Sequence, residues 1–162
     1  MSASLGKFIL AKIALAPVTT PNVTGNDAVS VELGIKFSSS VAGTITGLRF
    51  YRATNETVTN TAHLWSSNGQ SLATGTFPSG AGWQTILFSS PVAITAGTTY
   101  VASYHTTQYV WNASYFTAAL TVGPLTAPAN AGVYRYGTTS SFPSSSWQGA
   151  NYWVDVLFTP AQ

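Results

Sequence analysis

The stretch that decides the fold is VSVELGIKF, residues 29–37, in which apolar and polar side chains alternate. Successive side chains of a β-strand point to opposite faces of the sheet, so this pattern predicts a half-buried strand. Ser30, Glu32, Gly34 and Lys36 are expected on the polar face. The residues expected on the buried face are Val29, Val31, Leu33, Ile35 and Phe37.

Further strand-like runs follow, separated by turn residues, among them TITGLRFYRA at 44–53 and TAHLWSS at 61–67. The pair Asn68-Gly69 between two apolar runs predicts a β-hairpin. Pro91 is expected to end the strand in which it lies, because proline cannot donate a hydrogen bond to a neighbouring strand. Turn signals recur about every 8 to 12 residues, the spacing of an antiparallel sandwich. The predicted fold class is therefore all-β, an antiparallel β-sandwich.

Composition narrows the function classes. The chain of 162 residues has only 6% charged residues, 45% hydrophobic residues and no cysteine. This length fits one domain, and the composition is typical of a secreted all-β module. The net charge of +2 comes from scattered groups, which disfavours nucleic-acid binding. No apolar run is long enough to span a membrane.

The amino-terminal segment is the least regular part of the sequence. KFILAKIALAP, residues 7–17, has some features of a signal peptide, but Lys12 interrupts its apolar run. We expect residues 1–25 to form an N-terminal arm or a first strand. Residues 26–160 are expected to form a single β-sandwich module without internal repeats.

Several segments of the sequence occur together in one known family. They are NDAVSVELGIKFSSSVAGTITGLRFYRA, HLWSSNGQSLAT, GWQTILFSSPVAITAGTTYVASYH, GVYRYG with FPSSSW, and NYWVDVLF. In this the chain closely resembles the bacterial family called domain of unknown function 4082, over roughly residues 26–159. The resemblance implies a jelly-roll type of β-sandwich, an extracellular setting within larger secreted proteins, and similarity to carbohydrate-binding modules.

Scarce acids suggest a metal site. NYWVDVLF, residues 151–158, places Asp155 within an apolar strand, although the chain has four acids in all. The first and last strands of jelly-roll modules are commonly neighbours, so these acids could converge on a structural calcium ion, which prefers carboxylate and amide oxygens. The predicted ligands are Asn26, Asp27, Glu32 and Asp155. The alternative is that Asp27 caps a turn, Glu32 pairs with Lys36 and Asp155 faces water.

Aromatic residues outnumber what a core of this size needs. YHTTQYVWNASYF, residues 104–116, and the loop FPSSSWQGAN, residues 142–151, place aromatic rings beside short polar side chains. A flat ring with nearby amide groups suits a sugar, which presents C–H groups on one face and hydroxyls at its rim. The alternative for these rings is core filling or loop anchoring. The predicted ligand-binding residues are Trp111, Tyr109, Trp147, Gln148 and Asn112.

These features lead us to expect a noncatalytic extracellular carbohydrate-binding module with a structural calcium ion, and a glycan or polysaccharide as partner. The alternative is a structural or adhesive surface module that binds protein partners, including neighbouring domains. Enzymatic activity is not expected. A glycosidase needs two suitably placed carboxyl groups, and Glu56 lies in a polar loop where an ordinary pKa is expected. No G-x-S-x-G motif is present.

Overall fold

The computed structural model describes residues 23–162, which form ten β-strands and no helix. Residues 1–22 lie outside the described residues, and with them most of the predicted N-terminal arm, whereas residues 23–25 begin the first strand. Nothing in the described range is a helix of the length and hydropathy that crossing a membrane requires. The strands are β1 (Val23–Ser39), β2 (Gly43–Arg52), β3 (Thr61–Ser66), β4 (Ser71–Thr76), β5 (Gly82–Ile94), β6 (Tyr100–Trp111), β7 (Leu120–Val122), β8 (Leu125–Ala127), β9 (Gly132–Tyr136) and β10 (Val154–Pro160).

The strands pair into two antiparallel sheets. The larger sheet has seven strands in the order β4-β3-β6-β1-β8-β7, with β9 also paired to β1, and the smaller sheet has the order β10-β2-β5. Apolar side chains from both sheets meet in one core, including the buried Leu33, Leu48 and Val156. The predicted antiparallel β-sandwich is confirmed. Its jelly-roll topology stays a prediction.

The strand predicted at residues 29–37 lies within β1, and four of its five expected core residues are buried there. Val29 is the exception, with 52% of its surface exposed. The reason is a bulge. Asn26 pairs with Gln108 of β6 and the next pair is Val31 with Thr106, so residues 27–30 face only Thr107. Val29 therefore falls outside the regular alternation.

Of the predicted turn at Asn68-Gly69 and the predicted strand end at Pro91, the structure confirms the first and not the second. The Asn68-Gly69 hairpin is confirmed, since it joins the antiparallel strands β3 and β4 with Gly69 at a φ of 86°. The expectation that a strand ends at Pro91 is wrong, because β5 continues to Ile94. The β2–β5 ladder is interrupted between Leu87 and Val92, so Pro91 lies where no ladder hydrogen bond is needed.

Candidate functional site

A groove of about 520 Å³ opens beside the first residues of β1 and the last residues of β6. Its volume lies in the range of small-molecule sites, about 300 to 1,000 Å³. Six aromatic side chains and one acid, Asp27, are among its lining residues. We call it the aromatic groove, after its rings: Tyr109, Trp111, Tyr134, Tyr136, Trp147 and Tyr152.

Four of these rings come as two pairs from the two strands that flank β1. Tyr109 and Trp111 are two residues apart on β6, and Tyr134 and Tyr136 are two residues apart on β9. Residues with this spacing lie on one face of a strand. Strands β6 and β9 both pair with β1, on its two sides. All four rings line the groove, and they therefore reach it from the two sides of β1.

Gly25 of β1 makes room for one of the rings. It is the register partner of Tyr109. A Cβ atom at Gly25 would overlap the Tyr109 ring, so any side chain here would displace the ring. The glycine thus lets the Tyr109 ring lie against the strand backbone.

The acid of the groove is held by tyrosines. The Tyr109 hydroxyl donates a hydrogen bond of 2.8 Å to the Oδ2 atom of Asp27, and Tyr136 also hydrogen-bonds this carboxylate. Burial, together with the hydrogen bond and charge of Asp27, raises the pKa of both tyrosine hydroxyls. Both tyrosines therefore stay protonated and act as donors, which fixes Asp27 at the groove wall.

Trp147 combines a fixed backbone with an exposed ring. Before it, the backbone N–H and C=O of Ser145 pair with those of Tyr134, with distances of 3.2 and 2.8 Å. After it, the Gln148 carbonyl accepts from the Ser114 N–H at 2.8 Å. Yet the Trp147 side chain, which lines the aromatic groove, is 55% exposed. The backbone bonds on both sides of Trp147 therefore hold an exposed indole at the groove.

The structure brings three of the five predicted ligand-binding residues into one groove: Tyr109, Trp111 and Trp147. Gln148 and Asn112 are not among the lining residues. The Asn112 Oδ1 atom accepts from the Trp153 indole N–H at 2.7 Å, and its backbone pairs with Asn151. The amide side chain of Asn112 therefore serves the packing of Trp153.

Four of the aromatic and acidic residues that line the groove were not predicted as ligand contacts: Asp27, Tyr134, Tyr136 and Tyr152. The spacing in VYRYG, residues 133–137, was the available signal, because it puts two tyrosines on one strand face. That these two tyrosines lie beside the groove depends on the pairing of β9 with β1, and the sequence does not show this pairing.

The predicted metal site does not form from its proposed residues. Asp155 lies in the smaller sheet, whereas Asp27 and Glu32 lie in β1 of the larger sheet, so the expectation that the first and last strands are neighbours is wrong. The side chain of Asn26 lies outside the described part of the structure. Within residues 23–162 no cluster of three metal-ligating acids, histidines or cysteines exists.

Asp155 is buried, and its partner is a guanidinium group. The Arg49 Nε atom lies 3.4 Å from the Asp155 carboxylate, and the two residues are register partners on β2 and β10. The Asp155 Oδ1 atom also accepts from the Val156 N–H at 2.9 Å. The Arg49 guanidinium stacks on the ring of Trp83, 4.2 Å from its centroid. A cross-strand ion pair therefore explains the acid within NYWVDVLF.

Glu32 is fully buried beside polar groups of the larger sheet. It accepts a 2.6 Å hydrogen bond from Ser103, and the His63 Nδ1 atom lies 3.6 Å away. Burial raises the pKa of Glu32 to about 7, although hydrogen bonds from Ser103 and Ser140 act in the opposite direction. Glu32 thus neither pairs with Lys36 nor shares a site with Asp155. Calcium binding by the chain stays a prediction, which thermal unfolding with and without EDTA tests.

Comparison with known proteins gives the family of the chain. No curated protein matches it. A family model described as Domain of unknown function (DUF4082) matches residues 18–154. This range covers most of the chain and includes nine of its ten strands in the described part, β1 in full through β9. The chain therefore belongs to the family described as domain of unknown function (DUF4082).

Proposed function

We propose that the protein is a noncatalytic carbohydrate-binding module whose ligand lies in the aromatic groove. The observation that carries this proposal is the convergence of six aromatic rings beside a carboxylate in a groove of about 520 Å³. Rings stack on the C–H faces of sugars, and a carboxylate accepts hydrogen bonds from their hydroxyls. The indole of Trp147, which is 55% exposed, is open to contact with a polysaccharide chain.

The arrangement of acids favours binding over hydrolysis. Glycoside hydrolysis by the common mechanisms uses two carboxyl groups about 5 to 10 Å apart. Asp27 is the one acid among the described residues that line the groove. Glu56, the other acid considered for catalysis, is buried, and its carboxylate accepts from the backbone N–H groups of Val58, Thr107 and Gln108.

The wider role follows from the proposed ligand. A module that binds a glycan or polysaccharide would hold a larger secreted bacterial protein at its substrate, outside the cell. A structural or adhesive surface module that binds protein partners remains the competing function. In that case the aromatic groove would contact a polypeptide, and no polysaccharide would be retained.

The experiment is a pulldown on insoluble polysaccharides followed by a glycan array, with matched single substitutions. Trp147→Ala should lower the affinity for the retained glycan about ten-fold or more, the equivalent of about 1.4 kcal/mol. Its melting temperature should stay unchanged, because the ring is exposed. Leu87→Ala is the control, since Leu87 is an exposed apolar residue of β5, in the other sheet. Retention of no glycan, or equal affinity of wild type and Trp147→Ala, would contradict the proposal.

A further inference from the structure

The charge of the aromatic groove is opposite to that of the whole chain. The chain carries a formal net charge of +2. Among the described residues lining the groove, however, the one charged side chain is the carboxylate of Asp27. The groove therefore has a negative character within a basic protein.

Nearby cations of the described chain do not line the groove. Arg135 lies between Tyr134 and Tyr136 on β9, so the strand alternation turns it to the opposite face, where it is exposed. Its register partner is Glu32, which also lies outside the lining. Lys36 of β1 is likewise absent from the lining residues. The charge of Asp27 therefore has no counterion from the described residues of the groove wall.

Aromatic faces and a carboxylate together attract cations. The face of a Trp or Tyr ring carries negative potential and binds an ammonium group within about 6 Å of its centroid. The tyrosine hydroxyls at Asp27 are donors, so they hold the carboxylate in place without neutralising it. A neutral sugar can stack on these rings and donate hydroxyl hydrogen bonds to the carboxylate, but it leaves the negative charge of the groove uncompensated.

We propose that the aromatic groove selects sugars that carry a free amine, such as the unacetylated amino sugars of a polysaccharide, and that Asp27 makes this selection. The inference rests on the proposed carbohydrate-binding function and specifies its ligand class. The ammonium group pairs with Asp27 while the sugar ring stacks on the indole and phenol rings. Acetylation of the amine removes its charge and with it the pairing.

The test compares glucosamine oligosaccharides with N-acetylglucosamine oligosaccharides of the same length by calorimetry at about pH 6, where the amine is protonated. Wild type should bind the amine form about ten-fold tighter, and added salt should reduce this ratio. Asp27→Asn keeps a carbonyl oxygen for Tyr109 and should bring the ratio close to one. Gln70→Lys is the control, because it changes the net charge by the same amount at an exposed position. Gln70 lies close to Ser66, which pairs with Tyr100 at the start of β6, whereas the groove residue Trp111 lies at the end of that strand.

The outcomes separate this inference from the proposed function. Equal affinities in wild type, or a preference that survives Asp27→Asn, would overturn the amine selection while carbohydrate binding stands. Binding of neutral glycans alone would do the same. Absence of binding to every saccharide would overturn both. If Asp27→Asn does not fold, the salt dependence of the wild-type ratio decides, and a ratio insensitive to salt counts against the inference.

Discussion

The Tyr109 hydroxyl donates a 2.8 Å hydrogen bond to Asp27 although the two residues are 82 positions apart. The bulge in β1 places Asp27 outside the ladder, since residues 27–30 face only Thr107 of β6. A bulge bends its strand and changes the direction of nearby side chains. The irregularity of β1 is therefore the feature that supplies the aromatic groove with its acid.

Removing this donor tests whether the acid is positioned by the ring. Tyr109→Phe retains the aromatic surface but loses the hydroxyl, so we expect a stability loss of about 1 kcal/mol. We also expect a several-fold loss of glycan affinity, because Asp27 is then fixed less firmly. Urea unfolding and calorimetry measure the two effects. Unchanged glycan affinity would show that Asp27 does not depend on Tyr109.

Glu56 holds the other side of the bulge. Its carboxylate accepts from the N–H groups of Thr107 at 3.0 Å and Gln108 at 2.9 Å, and from the Thr106 hydroxyl. Burial alone would raise the pKa of Glu56, but these hydrogen bonds and that from Val58 lower it to about 2. Glu56 therefore has a structural role in the segment that precedes Tyr109.

We predict that Glu56→Gln destabilises the fold by about 1 to 3 kcal/mol, because its NH₂ group cannot accept the hydrogen bonds. The folded pKa is lowered, so the wild-type contribution is present above about pH 4.5 and is lost as pH falls towards 2. Urea unfolding at neutral and acidic pH measures this. Thr57→Ala, an exposed change in the same loop, serves as control. Identical pH profiles of wild type and Glu56→Gln would refute the role.

Glu32 should give the opposite dependence on pH. Its folded pKa is raised to about 7, so between about pH 4.5 and 7 the folded state binds more protons than the unfolded state. Stability should therefore decrease as pH rises through this window, by about 3 kcal/mol in total. Glu32→Gln should abolish this decrease. A Glu32→Gln profile parallel to that of wild type would contradict the assignment.

His63 is the group that could obscure this measurement. Burial and the neighbouring His105 lower the pKa of His63, so its contribution to stability rises with pH below its ordinary pKa. The two trends oppose each other. The difference between the wild-type and Glu32→Gln profiles isolates Glu32, and the same difference measured in a His63→Gln background shows how much of it depends on the histidine.

Asn112 allows a structural role to be separated from ligand contact. Its Oδ1 atom accepts from the indole N–H of Trp153, a fully buried residue. Asn112→Ala should cost about 1 to 3 kcal/mol of stability, because the indole donor loses its partner. Asn112→Asp keeps an acceptor and should cost less. Glycan affinity of the folded Asn112→Ala protein should match wild type; a large loss of affinity at unchanged stability would instead support direct contact.

The alternation of apolar and polar residues predicted the strands and their core faces better than it predicted which strands pair. The alternation in VSVELGIKF identified the core face of β1, and Tyr152, Val154, Val156 and Phe158 do share the core. Trp111 and Trp147 were predicted as aromatic residues beyond those that the core needs, and both line one groove. These features depend on the two-residue period and on exposed loops, both of which are visible in a single stretch of sequence.

The acids were misassigned for a physical reason. Arg49 and Asp155 are separated by 106 residues, and only the pairing of β2 with β10 brings them together. The pairing of distant strands is set by the whole core, so a short pattern does not contain it. The bulge that exposes Val29 and directs Asp27 to the groove is equally invisible in an alternating sequence. Asp155 in an apolar strand therefore suggested a metal ion, whereas its partner in the structure is Arg49.

The most direct test of the carbohydrate-binding account is a crystal structure of the protein with a bound glucosamine oligosaccharide. We predict sugar rings stacked on Trp147 and Trp111, with the amine of one sugar within hydrogen-bond distance of the Asp27 carboxylate. An oligosaccharide bound on another surface, with the aromatic groove empty, would contradict the account.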